Sequence, residues 1–460
     1  MNYNEIHVIK GEGINVVYHY KTFTMMVVKD EVCQILEALK RGYSVIQISK
    51  EAKYSENDVM SVIQFIEEKI SKNENYLPQQ NSNNNRVIDR ITLHVSNDCN
   101  LRCRYCYALG GNYNQDRAFM NKQTANDFVD FCINHFDQIN RIVFFGGEPM
   151  LNIEIMKYIC NLFKNNFSSG RLSQMPEFGI ITNGTILNPE IISFLKENIT
   201  SLTVSIDGPK DINDENRVYS NGKGSYETIK QFIKTVKSET KIPIIYEATY
   251  TRQHIEKQYK SKDIHNFMLN EFGIKGVIVE EESLEINRIL DYWQNYDYKM
   301  IAENNFENMP IGFWSILKSI AGKQSRKICP VMKRIFSISS NGYIFPCHML
   351  AGNTNNNLGN IKAQNFFNQR TLYKSSEFII DLQDNPKCNG CWCQYLCGGC
   401  AVHQFYNKQQ KKFQKKPNSE LCEINKQHIA QIILMIAALR REPLYWEKLM
   451  AKAKERQMQL

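Results

Sequence analysis

The chain has 460 residues, 43% of them hydrophobic and 23% charged, with a formal net charge of +8. That length exceeds one ordinary core and implies two or three domains, and the composition excludes wholesale disorder. The positive charge is dispersed except at Lys411, Lys412, Lys415 and Lys416, a run read as a solvated loop rather than a nucleic-acid patch. The longest apolar run, near Ile429 to Leu439, is too short to span a bilayer and is read as a buried or partner-facing helix. The N-terminal segment lacks the basic-then-apolar pattern of a signal peptide. A cytoplasmic location is expected, with neither membrane nor nucleic acid as partner.

In chain order, residues 1–72 read as a small domain. Alternating runs (INVVYHY, then FTMMVV) predict a hairpin turning near Lys21 and Thr22. Helical patterns follow at DEVCQILEALKRG, SVIQISKEAK and SENDVMSVIQFIEEKI. Ser55 fits an N-cap, with Asp58 three residues on. A hairpin with three helices is winged-helix-like. Residues 73–86, polar and Asn/Gln-rich, read as a linker. Over 87–323 strand-like runs (ITLHVS, RIVFFG, FGIITN, LTVSID, IPIIYEATY, GVIVEE) alternate with helical ones. Six βα units predict an α/β fold, a partial (β/α)6 barrel whose ligands sit at the carboxyl ends of the strands. Residues 324–430 are less regular and cysteine-rich, and are expected to be organised by metal. Residues 431–460 are expected to form a C-terminal helix and tail.

The sequence holds 14 cysteines, most of them in two groups, at 99–106 and 388–400. In a reducing compartment such groups point to metal or iron–sulfur ligation rather than to disulfides. Cys33, Cys132 and Cys160 lie on helical apolar patterns and are read as core residues. The first group, Cys99-x3-Cys103-x2-Cys106, follows the first barrel strand. Three thiolates on one loop suit a 4Fe–4S cubane with one iron left open, which can chelate S-adenosylmethionine. Structural zinc prefers four ligands in paired C-x2-C units and fits this spacing poorly.

This triplet resembles that of the radical S-adenosylmethionine (radical SAM) superfamily, and the resemblance continues along the barrel. Gly146-Gly147-Glu148-Pro149 ends the second strand, Thr182-Asn183-Gly184 the third and Ser205-Ile206-Asp207-Gly208-Pro209 the fourth, and Arg217 follows. The resemblance implies that Gly146, Gly147, Glu148 and Pro149 meet the methionine amino group. It implies ribose and carboxylate contacts at Thr182, Asn183, Ser205 and Asp207, with Arg217 pairing the cofactor carboxylate. No catalytic residue is assigned.

The C-terminal cysteines resemble the SPASM domain, which implies two auxiliary 4Fe–4S clusters and so three clusters in all. Cys388, Cys391, Cys397 and Cys422 would hold the distal one, and Cys329, Cys347 and Cys400 the one nearer the active site. The last pair, Cys397-Gly-Gly-Cys400, is one residue shorter than the commonest family spacing. Cys393 is an extra thiol, either a fourth ligand to the nearer cluster or a neighbour. Zinc competes more strongly here, because C-x2-C is zinc-like.

The N-terminal module resembles the precursor-recognition element of ribosomal-peptide maturases, in which a leader peptide adds as a strand to a hairpin edge. Its acidic third helix argues against reading DNA. A structural cap is the bland alternative. Together the parts resemble SPASM-domain ribosomal-peptide maturases, most closely the thioether-forming sactipeptide and ranthipeptide enzymes. That implies a precursor peptide as partner and an electron donor such as flavodoxin or ferredoxin. Competing readings are a sulfatase-type formylglycine maturase, carbon–carbon crosslinking or epimerisation of a peptide, and a DNA-binding iron–sulfur redox sensor.

Overall fold

Strand–helix alternation after residue 90 builds one large sheet. The computed structural model describes residues 1–52, 54–73, 86–280, 306, 309, 311–326, 328–363, 382 and 385–457. The expected linker lies almost wholly outside the described residues. The six strands expected from the sequence are β4 (Arg90–Ser96), β5 (Arg141–Gly146), β6 (Glu177–Thr182), β7 (Ser201–Ser205), β8 (Ile244–Tyr250) and β9 (Lys275–Glu280). All neighbouring pairs among them are parallel. Helices α4 (Lys122–His135), α5 (Ile153–Ser168), α6 (Pro189–Asn198), α7 (Tyr226–Glu239) and α8 (Ser261–Phe272) connect them.

The sheet has two further strands that the sequence reading left in a loop-rich region. β10 (Ile335–Ile338) lies parallel to β4, and β11 (Ile344–Phe345) lies antiparallel to β10. The order is β9-β8-β7-β6-β5-β4-β10-β11, so the barrel stays open. On β4, Ile91, Leu93 and Val95 enter the core under the helices. Period-2 alternation turns Thr92, His94 and Ser96 to the concave face. Phe144 of β5 stacks on Phe178 of β6 at 5.7 Å, and Phe163 of α5 meets Phe178 edge-on. Truncating such a ring costs about 3–5 kcal/mol.

The N-terminal domain has three strands, not two: β1 (Ile6–Gly11), β2 (Ile14–His19) and β3 (Thr24–Val28), antiparallel with β2 in the middle. Helices α1 (Asp30–Lys40), α2 (Val45–Ala52) and α3 (Glu56–Ser71) cover one face, where Val17 and Met26 pack with Ile35, Leu36, Val59 and Ile66. Ser55 caps α3 through a reciprocal box with Asp58. The other face is covered by α10 (Ser419–Arg440), whose Ile429, Ile432, Ile433 and Ile436 share a core with Ile9, Val16 and Tyr18. A Cβ on Gly11 would lie 2.8 Å from Leu434 Cδ1. The helix expected near Ile429 to Leu439 is thus present, but the boundary drawn at residue 430 falls in its middle. α9 (Ile311–Gly322) joins the same cluster through Phe313 and Leu317, and α11 (Pro443–Gln457) joins it through Leu449.

Among the described residues no helix is long and apolar enough to cross a membrane. Cys33, Cys132 and Cys160 are buried, at 0–1% exposure, as expected of core residues. Lys411, Lys412, Lys415 and Lys416 are exposed.

Candidate active site

The loop that carries Cys99, Cys103 and Cys106 leaves the end of β4 and is held from three sides. Arg102 N donates to Val218 O (2.7 Å) and Arg104 N to Asn216 O (3.0 Å). The Cys99 sulfur accepts from Leu101 N (3.4 Å) and Asn183 Nδ2 (3.6 Å). Asn183 Nδ2 also donates to Asn100 Oδ1 (2.9 Å), which ties the loop to the end of β6.

Gly146 and Gly147 permit a close backbone approach. A Cβ on Gly146 would lie 2.1 Å from Ser96 O, and one on Gly147 would lie 2.3 Å from Asp98 O. Gly111 closes the same spot, at φ +93, with its would-be Cβ 2.6 Å from Gly147 Cα. The Gly-Gly pair therefore brings the end of β5 against the start of the cysteine loop, which no larger residue allows.

Glu148 is fully buried. Its carboxylate accepts from Thr182 Oγ1 (2.7 Å), Asn183 N (2.7 Å) and Met150 N (3.0 Å). Burial raises its pKa, while these donors and Arg217 oppose the rise. Here Glu148 joins the ends of β5 and β6. Pro149 opens the buried turn that follows. Ser205 is half-buried at the end of β7.

Asp207 is also fully buried. It accepts from Tyr105 OH (2.9 Å to each oxygen) and Thr249 N (3.1 Å), and Arg217 Nη1 stands 3.9 Å away. Burial raises the Asp207 pKa, and Arg217 counters it. Arg217 donates to Tyr105 OH (2.5 Å), but its buried Nε has no partner among the described residues. Tyr105 was not singled out in the sequence; its only signal was its place just before the third cysteine. Tyr113, whose hydroxyl donates to Gly146 O (2.9 Å), was likewise missed.

These residues fit a thiolate-held cluster with S-adenosylmethionine. The donor set is three free thiols on one loop. Burial pushes Cys99 up to about 12, with Glu148 adding, and raises Cys103, so these thiols ionise readily only against a bound cation. The orphaned Arg217 Nε suits a carboxylate.

The C-terminal cysteines fall into two sets. Burial pushes Cys329 up to about 11, with Cys347 and Cys400 adding. Burial pushes Cys388 up to about 12, with Cys397, Cys422 and Cys391 adding. Cys393 stands in the second set, not the first: its sulfur is 3.5 Å from that of Cys391. A hydrogen bond from Cys393 lowers Cys391 to about 6 and holds Cys393 itself protonated. Among the described residues no three His, Cys, Asp or Glu converge as ligands of a single ion. A cubane instead takes each thiolate on a different iron.

Residues 93–255 match the Radical SAM superfamily. This chain carries a radical SAM domain in its barrel segment. It is 25% identical over 430 residues to the radical SAM cyclopropyl synthase TigE of Paramaledivibacter caminithermalis, which covers 83% of this chain and 85% of that one. It is 27% identical over 346 residues to a cysteine-type anaerobic sulfatase-maturating enzyme of Clostridium novyi, with 70% of this chain and 90% of that one covered. The fold is like that of native anSMEcpe with bound AdoMet, with a TM-score of 0.57 at 18% identity over 80% of this chain and 98% of that one. That domain implies S-adenosylmethionine and a 4Fe–4S cluster as cofactors.

Proposed function

We propose that this radical SAM protein is a maturase acting on a peptide or protein, and within that class a ribosomal-peptide maturase that forms thioether links from cysteine sulfur to carbon. One observation carries the reading: a three-stranded antiparallel sheet is built into the same core as the cysteine-rich segment at 391–397. Among the described residues β1 and β3 each pair only with β2, so an extended leader peptide can add to an outer strand through backbone hydrogen bonds.

When bound, S-adenosylmethionine and a cluster on Cys99, Cys103 and Cys106 supply a 5′-deoxyadenosyl radical that removes a substrate hydrogen. Asn183 and the Leu101 amide hydrogen-bond to Cys99, Glu148 fixes Thr182 and Asn183, and Arg217 offers its free Nε to the cofactor carboxylate. Cys329, Cys347 and Cys400 would hold one auxiliary cluster, and Cys388, Cys391, Cys397 and Cys422 a second. Flavodoxin or ferredoxin would donate the electron.

A second reading, formylglycine maturation, draws support from the 90% coverage of the sulfatase-maturating relative. Mass spectrometry of anaerobic reactions separates the two. The substrates are a cysteine-rich peptide encoded beside the gene and a sulfatase-derived cysteine peptide. A neighbouring peptide lighter by a pair of hydrogens, with its sulfur retained, supports thioether formation. Loss of sulfur from the sulfatase peptide alone overturns it.

A further inference from the structure

The hollow of the partial barrel holds a carboxylate that the site described above does not employ. On β8, Ile244, Tyr246 and Ala248 pack under the helices, so Ile245, Glu247 and Thr249 face the concave side. Glu247 stands in register with Ser205 on β7 and Val277 on β9. Its charge acts on Tyr107, which ends the radical loop, and on His348, which follows Cys347. Tyr107 in turn lies within electrostatic reach of both Cys106 and Cys347. Glu247 therefore sits on the wall of the space between the radical thiols and the nearer auxiliary set.

The wall around it mixes apolar side chains with the hydroxyls of Ser205, Thr249 and Tyr107. Tyr107 on the cysteine loop, Ile245 on β8 and Val279 on the edge strand β9 are 46%, 42% and 37% exposed. Arg90 acts on Cys329, Cys347 and Cys400 and, like Glu247, on His348, without ion-pairing to Glu247 among the described residues. Among the described residues no side chain hydrogen-bonds or ion-pairs with Glu247. A half-buried carboxylate with no ion-paired partner among the described residues attracts a cation and rejects an anion.

We infer that Glu247 anchors a cationic side chain of the substrate, so that the polypeptide modified here carries a lysine or arginine next to the reacting residue. The inference rests on the peptide or protein substrate proposed above.

The test uses the reconstituted full-length protein and three labelled synthetic peptides. They are identical except that the residue beside a central cysteine is Lys, Gln or Glu. Binding is followed by fluorescence anisotropy for the wild type, Glu247→Gln and Glu247→Lys. The wild type should favour the Lys peptide over the Gln peptide by about tenfold. Glu247→Gln should level the series, and Glu247→Lys should invert it in favour of the Glu peptide. Partial unfolding of a variant would weaken all three peptides together and cannot produce an inversion. The same order of affinities in all three proteins overturns the inference while leaving the substrate class standing. If the wild type binds none of the peptides, the substrate class falls and the inference with it.

Discussion

The two groups of cysteines are positioned by different means. Around Cys99, Cys103 and Cys106 the scaffold is backbone: glycines at 146 and 147 seat one strand end on the next, and Glu148 and Asp207 spend their oxygens on neighbouring donors. The C-terminal thiols sit on turns and on the first turn of α10, and their loop is wedged against the N-terminal sheet by side chains. Trp392 lies flat on His7 at 4.2 Å and meets Tyr18 edge-on, and Tyr395 packs on Tyr20 and Phe23. A site framed by strand ends is preorganised before any cofactor arrives, whereas one framed by loops draws its order from what the thiols bind.

That contrast breaks most sharply under cysteine replacement. Changing Cys99, Cys103 and Cys106 together to Ala should abolish 5′-deoxyadenosine formation and remove about four of about twelve irons, while the thermal midpoint of the barrel stays put. Iron analysis and melting read both halves. Gly147→Val should lower cofactor cleavage by about 100-fold, because a Cβ there forces the loop out of place. Its auxiliary iron should remain, and equal loss of all iron would erase the distinction between the two regions.

Trp392→Ala should cost about 3 kcal/mol in urea unfolding and loosen the N-terminal sheet along with the distal thiols. Hydrogen exchange confined to only one of these regions would separate what the packing joins.

A smaller effect comes from His94, buried on the concave face with both ring nitrogens unpartnered among the described residues. Burial pushes it down to about 3 from 6.5, so the unfolded chain binds the extra proton between those values. Its contribution is intact above pH 6.5 and is lost as pH falls towards 3. His94→Phe should flatten that acid limb of the stability profile. Smallest, Ser55→Ala should cost about 1 kcal/mol by removing the α3 cap, without touching iron content.

The parts of this molecule legible in sequence were those written in local pattern. All six barrel strands announced themselves by apolar runs, and Ser55 by its capping box. The radical cysteines announced themselves by spacing. β1 did not, because Lys10 and Gly11 blur the alternation of a strand with one partner. β10 and β11 are too short to stand out beside cysteines and glycines. Tyr105, Tyr113 and Glu247 carry no motif; their importance comes from which strand end or wall they share with residues distant in the chain. The separate N-terminal domain was a reasonable reading of the polar stretch at 73–86, but the helix that completes its core begins at Ser419.

The α10 cover has a consequence for how such a protein is inherited. The first sheet and the last long helix form one hydrophobic interior, with Trp392 between two cysteines as the rivet. Recombination that exchanged only the front of the gene would deliver a sheet without its matching helix. Beginning and end must travel together, and a chimaera designed to redirect this protein to a new peptide should take both ends from one parent and only the barrel from the other.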